Sequence, residues 1–315
     1  MTEPPKLHAR NVGFEWTQPE GPLRRISESQ RSAYREEGFF ILEDAFSPDE
    51  VARAIEAIDP LEAQTEAFLQ TRDDGKLFIA RAGEITFSPG LVTRSPALRD
   101  FCASPVFADL GHDLIGPDVR LYWEQAVYKK PGAHEEFPWH QDNGYTYIEP
   151  QQYLTCWVAL TDATVENGCP WVASGLHRQG TLDHWMTDLG WCCLGGEVEA
   201  VPAPARAGSI VVFSSLTPHR TGPNRSAGVR KSYIVQFAPD GARRLELDGS
   251  VTTCDDPARQ FEVLRGGAPV APDAPGAARH PRVRPGARPA TASTSPPLPP
   301  RRATCVCGSP TPVCV

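Results

Sequence analysis

The feature that most limits the fold of this 315-residue chain is a series of short apolar segments between residues 119 and 237. Segments 119–128, 153–160, 208–213 and 232–237 are rich in β-branched and aromatic residues, which favour strands. The connections between them carry Pro-Gly, Asn-Gly and Gly-Pro pairs, which are typical of turns. Short strands at this spacing indicate a β-sandwich or barrel, so the sequence predicts a mainly β fold.

The N-terminal third shows helix signals instead. Ser27 and Gln30 match a capping box and predict a helix over 28–37. Ser47 followed by Pro48 predicts a second helix through about Ala57. Two more Ser-Pro starts predict short helices, and one apolar run predicts a buried strand: Ser95-Pro96, Ser104-Pro105 and 39–42.

Composition divides the chain into three parts. We expect an N-terminal extension over 1–26, a folded domain over 27–265 and a disordered tail over 266–315. The tail has 12 prolines, no lysine and a net charge of +5, and it lacks the apolar periodicity needed to build a core. A Pro/Arg-rich docking segment and a shifted reading frame remain alternative explanations of the tail.

Charge and hydropathy exclude several classes of protein. The net charge is −8 at pH 7, so a broad surface for nucleic acid or anionic membrane is not expected. No apolar run approaches the roughly 20 residues of a membrane span, and the N-terminus lacks an apolar leader. The nine cysteines have neither disulfide-framework spacing nor a C-x-x-C pair. We therefore expect a cytoplasmic protein.

The candidate chemistry is concentrated around His140 and Asp142. In an extended strand residues i and i+2 point to the same face, so these two side chains could bind one ion. His219, just beyond segment 208–213, supplies a further ligand from a neighbouring strand. Two histidines and one carboxylate form the facial triad of non-haem Fe(II) oxygenases. A His-x-Asp spacing is also common among solvated loop residues, so this pair alone leaves both interpretations open.

Arg230 adds a second element to the site. It lies eleven residues after His219, at the start of segment 232–237. A guanidinium can hold a carboxylate through two parallel hydrogen bonds, and Ser232 on the same strand face can add a hydroxyl. A 2-oxo acid needs this arrangement, because its keto-carboxylate end chelates the metal while a cation binds its distal carboxylate.

Together these motifs resemble the phytanoyl-CoA dioxygenase (PhyH-like) family of Fe(II)/2-oxoglutarate-dependent oxygenases. The resemblance runs from about Gly38 to Phe237. Beside the His-x-Asp pair it rests on three blocks: Trp157–Gly168, Ser174–His177 and His219–Arg230. The chain has Ser-Gly-Leu-His where the family usually has Pro-Gly-Ser-His, a departure expected to affect a loop and not the chemistry.

The resemblance implies a double-stranded β-helix, the jelly roll of the cupins, with flanking N-terminal helices. It also implies Fe(II), 2-oxoglutarate and O₂ as cofactors. The implied metal ligands are His140, Asp142 and His219. The implied 2-oxoglutarate contacts are Gln125, Trp157, Thr221 and Arg230, to which the strand pattern adds Ser232.

Several of these residues have a second interpretation. Trp157 could instead be a plain core residue of its strand, and Gln125 matches a position where residue type varies within the family. His177 and His184 follow loop sequence and are interpreted as structural. Tyr145 flanks the metal pair and fits either the core or a substrate wall.

The predicted function is a dioxygenase that hydroxylates an unactivated C–H bond of a small molecule and releases succinate and CO₂. Asp142 fills the position where halogenating relatives have Ala or Gly, so halogenation is not expected. Desaturation, epimerisation or cyclisation by the same site remain open. A non-catalytic cupin-like binding protein is a second alternative, although such a protein would not require Arg230. Composition favours a secondary metabolite or an amino-acid-like substrate, and the oligomeric state is not predicted.

Overall fold

The computed structural model describes residues 5–133, 136–246 and 248–272. Within these residues the helices lie mainly in the N-terminal third, as predicted. The capping boxes at Ser27 and Ser47 are both formed, since each serine oxygen accepts a hydrogen bond from the N–H three residues on. The helices are α1 (Glu28–Glu36), α2 (Pro48–Gln70), α3 (Pro96–Cys102), α4 (Pro105–Leu114) and α5 (Asp142–Tyr145), with 3₁₀ turns at Leu91–Thr93 and Leu176–Gln179.

Helix α2 is longer than predicted. It was expected to end near Ala57, but it continues through Pro60 to Gln70. A proline inside a helix costs about 3 kcal/mol. Ile58 and Leu69 are fully buried on either side of it, and each contributes about 1.5–3 kcal/mol of apolar burial, which offsets that cost. The burial of Ile58 and Leu69 therefore outweighs the tendency of Pro60 to end the helix.

The other regular elements are strands, and they confirm the mainly β fold. The predicted strand over 39–42 is present, and each of the four predicted apolar segments forms a strand. In chain order the strands of the described residues are β1 (Phe39–Leu42), β2 (Lys76–Leu77), β3 (Ala80–Arg81), β4 (Ile85–Pro89), β5 (Val119–Lys129), β6 (Phe137–His140), β7 (Ile148–Glu149), β8 (Leu154–Ala159), β9 (Pro170–Val172), β10 (Trp185–Thr187), β11 (Gly190–Cys192), β12 (Val201–Pro202), β13 (Ile210–Ser214), β14 (His219–Thr221), β15 (Arg230–Pro239), β16 (Arg243–Leu245), β17 (Val251–Thr253), β18 (Glu262–Arg265) and β19 (Ala268–Pro269).

The largest sheet, here called the main sheet, is antiparallel. Its order is β1-β13-β8-β15-β5-β4-β3-β2, and β18 joins the edge of β5 and carries β19. A four-stranded antiparallel sheet has the order β12-β9-β14-β6, and two smaller sheets contain β7, β16 and β17 and the hairpin β10–β11.

The main sheet has two different faces, because successive side chains of a strand point to opposite sides. On β13, Ile210 and Val212 belong to a core cluster shared with the helices. Val211 and Phe213 belong to a second cluster, which includes Phe137 of β6 and therefore lies between the main and four-stranded sheets. We call the face toward this second cluster the inner face. The predicted site residues on β5, β8 and β15 lie on it.

Both ends of the described chain are tied to the domain. Leu7 forms a β-bridge with Leu182, and the Trp16 ring lies edge-on to His177 with centroids 4.5 Å apart. At the other end β19, which follows the expected boundary at Arg265, pairs with β18. The rest of the predicted tail, 273–315, lies outside the described residues. Along the described chain, the helices are too short or too polar to cross a lipid bilayer.

Candidate active site

Three predicted site residues meet at β6 and β14. His140 ends β6, His219 begins β14, and the two are paired directly across the strands. Asp142 Oδ1 lies 4.0 Å from His140 Nε2 and 3.9 Å from His219 Nε2. Among the residues that the structure describes, this is the group of His, Cys and acidic side chains that offers ligand atoms within 4.8 Å of one another. Its composition is that of a facial triad.

His140 and Asp142 come together in a different way from the one predicted. His140 and Asp142 were expected on one face of a strand, but β6 ends at His140 and Asp142 begins α5. The prediction of a shared strand face is therefore wrong, although the side chains do meet. Gln141 between them is fully buried. It fixes the turn through three hydrogen bonds to the backbone of Gly180, Leu182 and Leu216.

Both imidazoles turn Nε2 toward Asp142. Nδ1 of His140 lies 2.8 Å from the carbonyl of Pro138, and Nδ1 of His219 lies 3.0 Å from that of Thr217. A carbonyl can only accept, so Nδ1 carries the proton and Nε2 keeps its lone pair. Burial lowers the pKa of His140 well below its usual value. This ring is therefore neutral and able to bind a metal at physiological pH.

The Asp142 carboxyl is held through its second oxygen. Thr155 on β8 donates to Oδ2 at 2.5 Å. Burial raises the pKa of this carboxyl, and the neighbouring His219 and the hydrogen bond from Thr155 act in the opposite direction. Oδ1 remains directed at the two histidines.

A buried guanidinium lies on the inner face of the main sheet. Arg230 is 1 % exposed, its Nη1 donates to Ser232 Oγ at 3.0 Å, and that hydroxyl donates to the carbonyl of Val127 at 3.0 Å. The guanidinium carbon lies 5.2 Å from the centroid of the Trp157 ring. Its Nε and Nη2 are buried without a hydrogen bond to any of the described residues, and burial lowers the pKa of Arg230 only to about 10. A bound carboxylate would satisfy both nitrogens.

Lys129 is a second buried cation, which the sequence analysis missed. Its Nζ donates to the carbonyl of Gly222 at 2.6 Å and to Thr221 Oγ1 at 3.4 Å. Burial, and then the charge of Arg230, lower its pKa to about 7. Lys129 and Arg230 therefore lie near enough for the charge of one to oppose that of the other. The alternation along β5 contains the signal, because Lys129 lies four residues after Gln125 and thus on the same face.

Of the remaining predicted cofactor contacts, Trp157 and Gln125 lie on this face, and Thr221 lies on β14 of the four-stranded sheet. Trp157 and Gln125 are the register partners of Ile234 on its two sides. Trp157 packs in the second core cluster and also borders Arg230, so its two interpretations are compatible. Gln125 is half-buried. Thr221 is buried and joins the site through Lys129.

His177 and His184 have structural contacts and lie outside the triad. His177 Nε2 lies 3.1 Å from the carbonyl of Arg35. His184 Nε2 accepts the N–H of Gln141 at 3.0 Å. Burial lowers the pKa of both rings to about 4. These neutral histidines support the chain around the site.

A cleft opens beside the triad. Phe137 and Tyr145 stand edge-on to His140, with ring centroids 4.8 and 5.3 Å away, so both rings border the triad. Tips of the hairpins β2–β3 and β10–β11 border the cleft. Its walls combine apolar and charged side chains: Ile79, Arg81, Glu84, Ile85, Lys129, Ala133, Glu136, Phe137 and Leu189.

Comparison with known proteins finds one matching family. The profile of the phytanoyl-CoA dioxygenase (PhyH) family matches residues 34–232, more than half of the chain. A phytanoyl-CoA dioxygenase of Arabidopsis thaliana is 27 % identical over 54 % of this chain and 63 % of its own length. An ectoine dioxygenase of Bordetella parapertussis is 25 % identical over 67 % of this chain and 75 % of its own length. The chain thus covers slightly less than two thirds of the plant protein.

Solved structures share the fold. EvdO2 from Micromonospora carbonacea var. aurantiaca, complexed with 2-oxoglutarate, is 25 % identical with a TM-score of 0.53, over 76 % of this chain and 96 % of that one. The non-haem α-ketoglutarate-dependent carbocyclase SnoK from nogalamycin biosynthesis is 23 % identical with a TM-score of 0.58, over 71 % and 89 %. The double-stranded β-helix implied by the sequence is confirmed.

Proposed function

The chain belongs to the phytanoyl-CoA dioxygenase family, and from this membership we propose that it hydroxylates an unactivated C–H bond of a small molecule. It is a non-haem iron enzyme that uses 2-oxoglutarate and O₂, so succinate and CO₂ are the expected co-products. The observation that carries the site assignment is Arg230, whose buried Nε and Nη2 lack partners. Such a guanidinium fits the distal carboxylate of 2-oxoglutarate.

Each residue has a proposed role. His140, Asp142 and His219 hold the iron, which with 2-oxoglutarate and O₂ supplies the oxidising chemistry when bound. Arg230 binds the distal carboxylate, and Ser232 orients the guanidinium. The remaining 2-oxoglutarate contacts are proposed for Lys129, Thr221, Trp157 and Gln125.

Hydroxylation is the favoured outcome because Asp142 is present as a carboxylate ligand, which argues against halogenation. The same fold serves a carbocyclase, so cyclisation, epimerisation and desaturation are the alternative outcomes of the same site. These reactions differ only in what happens to the substrate after it has been oxidised, so analysis of the product distinguishes them.

The proposed substrate is a small secondary metabolite or an amino-acid-like molecule. A relative that oxidises ectoine supports this size class, and a cleft with both apolar and charged walls suits an amphipathic molecule. The proposed compartment is the cytoplasm, supported by six unpaired cysteines among the described residues. Incubation with a metabolite panel, scored by substrate-dependent succinate, identifies the substrate.

A cupin-like binding protein without turnover is the other candidate. It would share the barrel and the three metal-binding side chains. It gives no reason for a buried guanidinium with two nitrogens unbonded among the described residues, since such a charge is costly unless an anion binds it. Arg230 therefore favours the enzyme.

Anaerobic titration with Fe(II) and 2-oxoglutarate tests the assignment. The wild type should develop a weak visible charge-transfer band at roughly 500–530 nm, as expected for a 2-oxo acid on a facial-triad iron. His140→Ala and His219→Ala should each abolish it. His112→Ala serves as the control, because His112 lies on α4, outside the triad. Full-strength bands in both triad variants would refute the ligand assignment.

A further inference from the structure

We propose that Thr155 and Gln236 are positioning residues that present Asp142 to the metal through Oδ1 alone. The inference rests on the proposed function, since it concerns the iron site. Thr155 on β8 and Gln236 on β15 are register partners, and both are buried, at 0 % and 6 % exposure. They form a chain of two hydrogen bonds that ends on Asp142 Oδ2: Gln236 Nε2 to Thr155 Oγ1 at 3.3 Å, and Thr155 Oγ1 to Asp142 Oδ2 at 2.5 Å.

The direction of this chain follows from counting protons. A threonine hydroxyl has one proton. Asp142 is a deprotonated carboxylate when it binds a metal, so the proton between these two oxygens, which lie 2.5 Å apart, is the Thr155 proton. Gln236 must then present its NH₂ group to Oγ1, because its carbonyl oxygen would have no proton to accept. The amide thereby stops the hydroxyl from rotating away, and Oδ2 receives a charge-assisted bond.

The bond at Oδ2 determines what Asp142 offers to the ion. Oδ1 is the oxygen that lies 4.0 and 3.9 Å from the two histidine Nε2 atoms. A carboxylate that binds through one oxygen fills one coordination position, and the triad then leaves three open. Binding through both oxygens would take a fourth position. The 2-oxo acid needs two positions and O₂ needs one, so the ligand set works only if Oδ2 stays occupied elsewhere.

Substitution of Thr155 tests the proposal with a matched control. Thr155→Val keeps the shape of the side chain and removes the hydroxyl, whereas Thr155→Ser keeps the hydroxyl. We expect both variants to bind Co(II) with wild-type affinity. In Thr155→Val the Co(II) absorption spectrum should change, because Asp142 gains freedom to bind through both oxygens. The anaerobic Fe(II)/2-oxoglutarate band should shift, and the dissociation constant of 2-oxoglutarate should rise about 10-fold, which corresponds to about 1.4 kcal/mol. Thr155→Ser should match the wild type in all three measurements.

Gln236→Leu provides an independent variant in case Thr155→Val does not fold. It removes the donor that fixes the Thr155 hydroxyl, so the same spectral change should appear with a smaller loss of 2-oxoglutarate affinity, about 3-fold. Wild-type Co(II) and Fe(II) spectra in Thr155→Val, or in Gln236→Leu if only that variant folds, would overturn the inference and leave the proposed function intact. Loss of metal binding in Thr155→Val, with binding retained in Thr155→Ser, would also overturn it, because Thr155 would then be needed for the ligand itself. A wild-type protein without any band would refute the proposed function instead.

Discussion

Arg230 is the proposed anchor of the distal carboxylate of 2-oxoglutarate, so its substitution tests whether one side chain sets cofactor affinity. Substitution by lysine keeps the charge but removes the two-pronged donor geometry. Losing one charge-assisted contact should cost about 1.5–3 kcal/mol. We therefore expect a roughly 10- to 150-fold rise in the dissociation constant of 2-oxoglutarate in Arg230→Lys, measured by titration of the iron-loaded protein, with little change in iron affinity.

The control for this substitution is Arg225→Lys, an exposed arginine on the same connection between β14 and β15. It should bind 2-oxoglutarate like the wild type. Equal affinities of Arg230→Lys and the wild type would show that the buried guanidinium serves another purpose.

Glu124 is a buried carboxyl on the helix side of the main sheet, and it should make stability depend on pH. It accepts hydrogen bonds from Tyr233 Oη at 2.8 Å and from the N–H of Val92 at 3.2 Å. Burial raises its pKa to about 8, against about 4.3 in an unfolded chain. Between these values the folded state binds more protons than the unfolded state, so stability falls as pH rises.

Glu124→Gln should remove this contribution while keeping similar hydrogen bonds. We expect the melting temperature of the wild type, relative to that of the variant, to fall between pH 5 and pH 8. If the difference in melting temperature between the two proteins stays constant from pH 5 to pH 8, Glu124 is not protonated in the folded state.

At the level of helices and strands, local sequence predicted most of the elements. Capping residues and Ser-Pro starts marked the four N-terminal helices, and β-branched runs marked the core strands, because these signals act over a few residues. Two features could not be read in this way. Helix α2 continues through Pro60 because Ile58, before it, and Leu69, after it, are buried. The turn at Gln141 depends on hydrogen bonds to backbone groups that are distant in the chain, such as the carbonyl of Gly180.

Two of the three Ser-Pro helix starts provide a test of these local signals. Ser47 accepts a hydrogen bond from the N–H of Glu50, whereas Ser104, at the start of α4, makes no side-chain cap bond and its hydroxyl is buried without a partner. Ser47→Ala should cost about 1 kcal/mol, or about 2–4 °C in melting temperature for a domain of this size. Ser104→Ala should leave the melting temperature unchanged or raise it. Equal losses would contradict the cap assignment.

For the molecule as a whole, the sequence predicted the fold class and named the triad and Arg230. It missed Lys129, Thr155 and Gln236, because these side chains join the site only after strands far apart in sequence pair. Their positions follow once the register of β5, β8 and β15 is known. The sequence also did not predict β19, because Ala268–Pro269 has little apolar signal of its own.

Two truncations test where the folded domain ends. Residues 266–272 contribute the carbonyl of Gly267, which accepts from Arg24 Nη1 at 2.7 Å, and the N–H of Val270, which donates to the carbonyl of Val263 at 3.0 Å. A chain that ends at Arg265 should therefore melt several degrees below the full chain. A chain that ends at Pro272 should melt with it, because residues 273–315 have no core-forming pattern. A large fall in the melting temperature of the chain that ends at Pro272 would show that residues 273–315 contribute to packing.

The pairing of His140 with His219 gives the metal a further effect on the polypeptide itself. The two residues are 79 positions apart in the chain, so an ion bound to both closes a large covalent and coordinate ring, much as a disulfide would. β6 is the terminal strand of its sheet, and a slip by one residue would turn His140 to the opposite side. An ion bound at the proposed site would therefore act as a cross-link that selects one strand register. Protein made without sufficient iron should exchange amide hydrogens faster along β6 and be cleaved more readily between these two histidines.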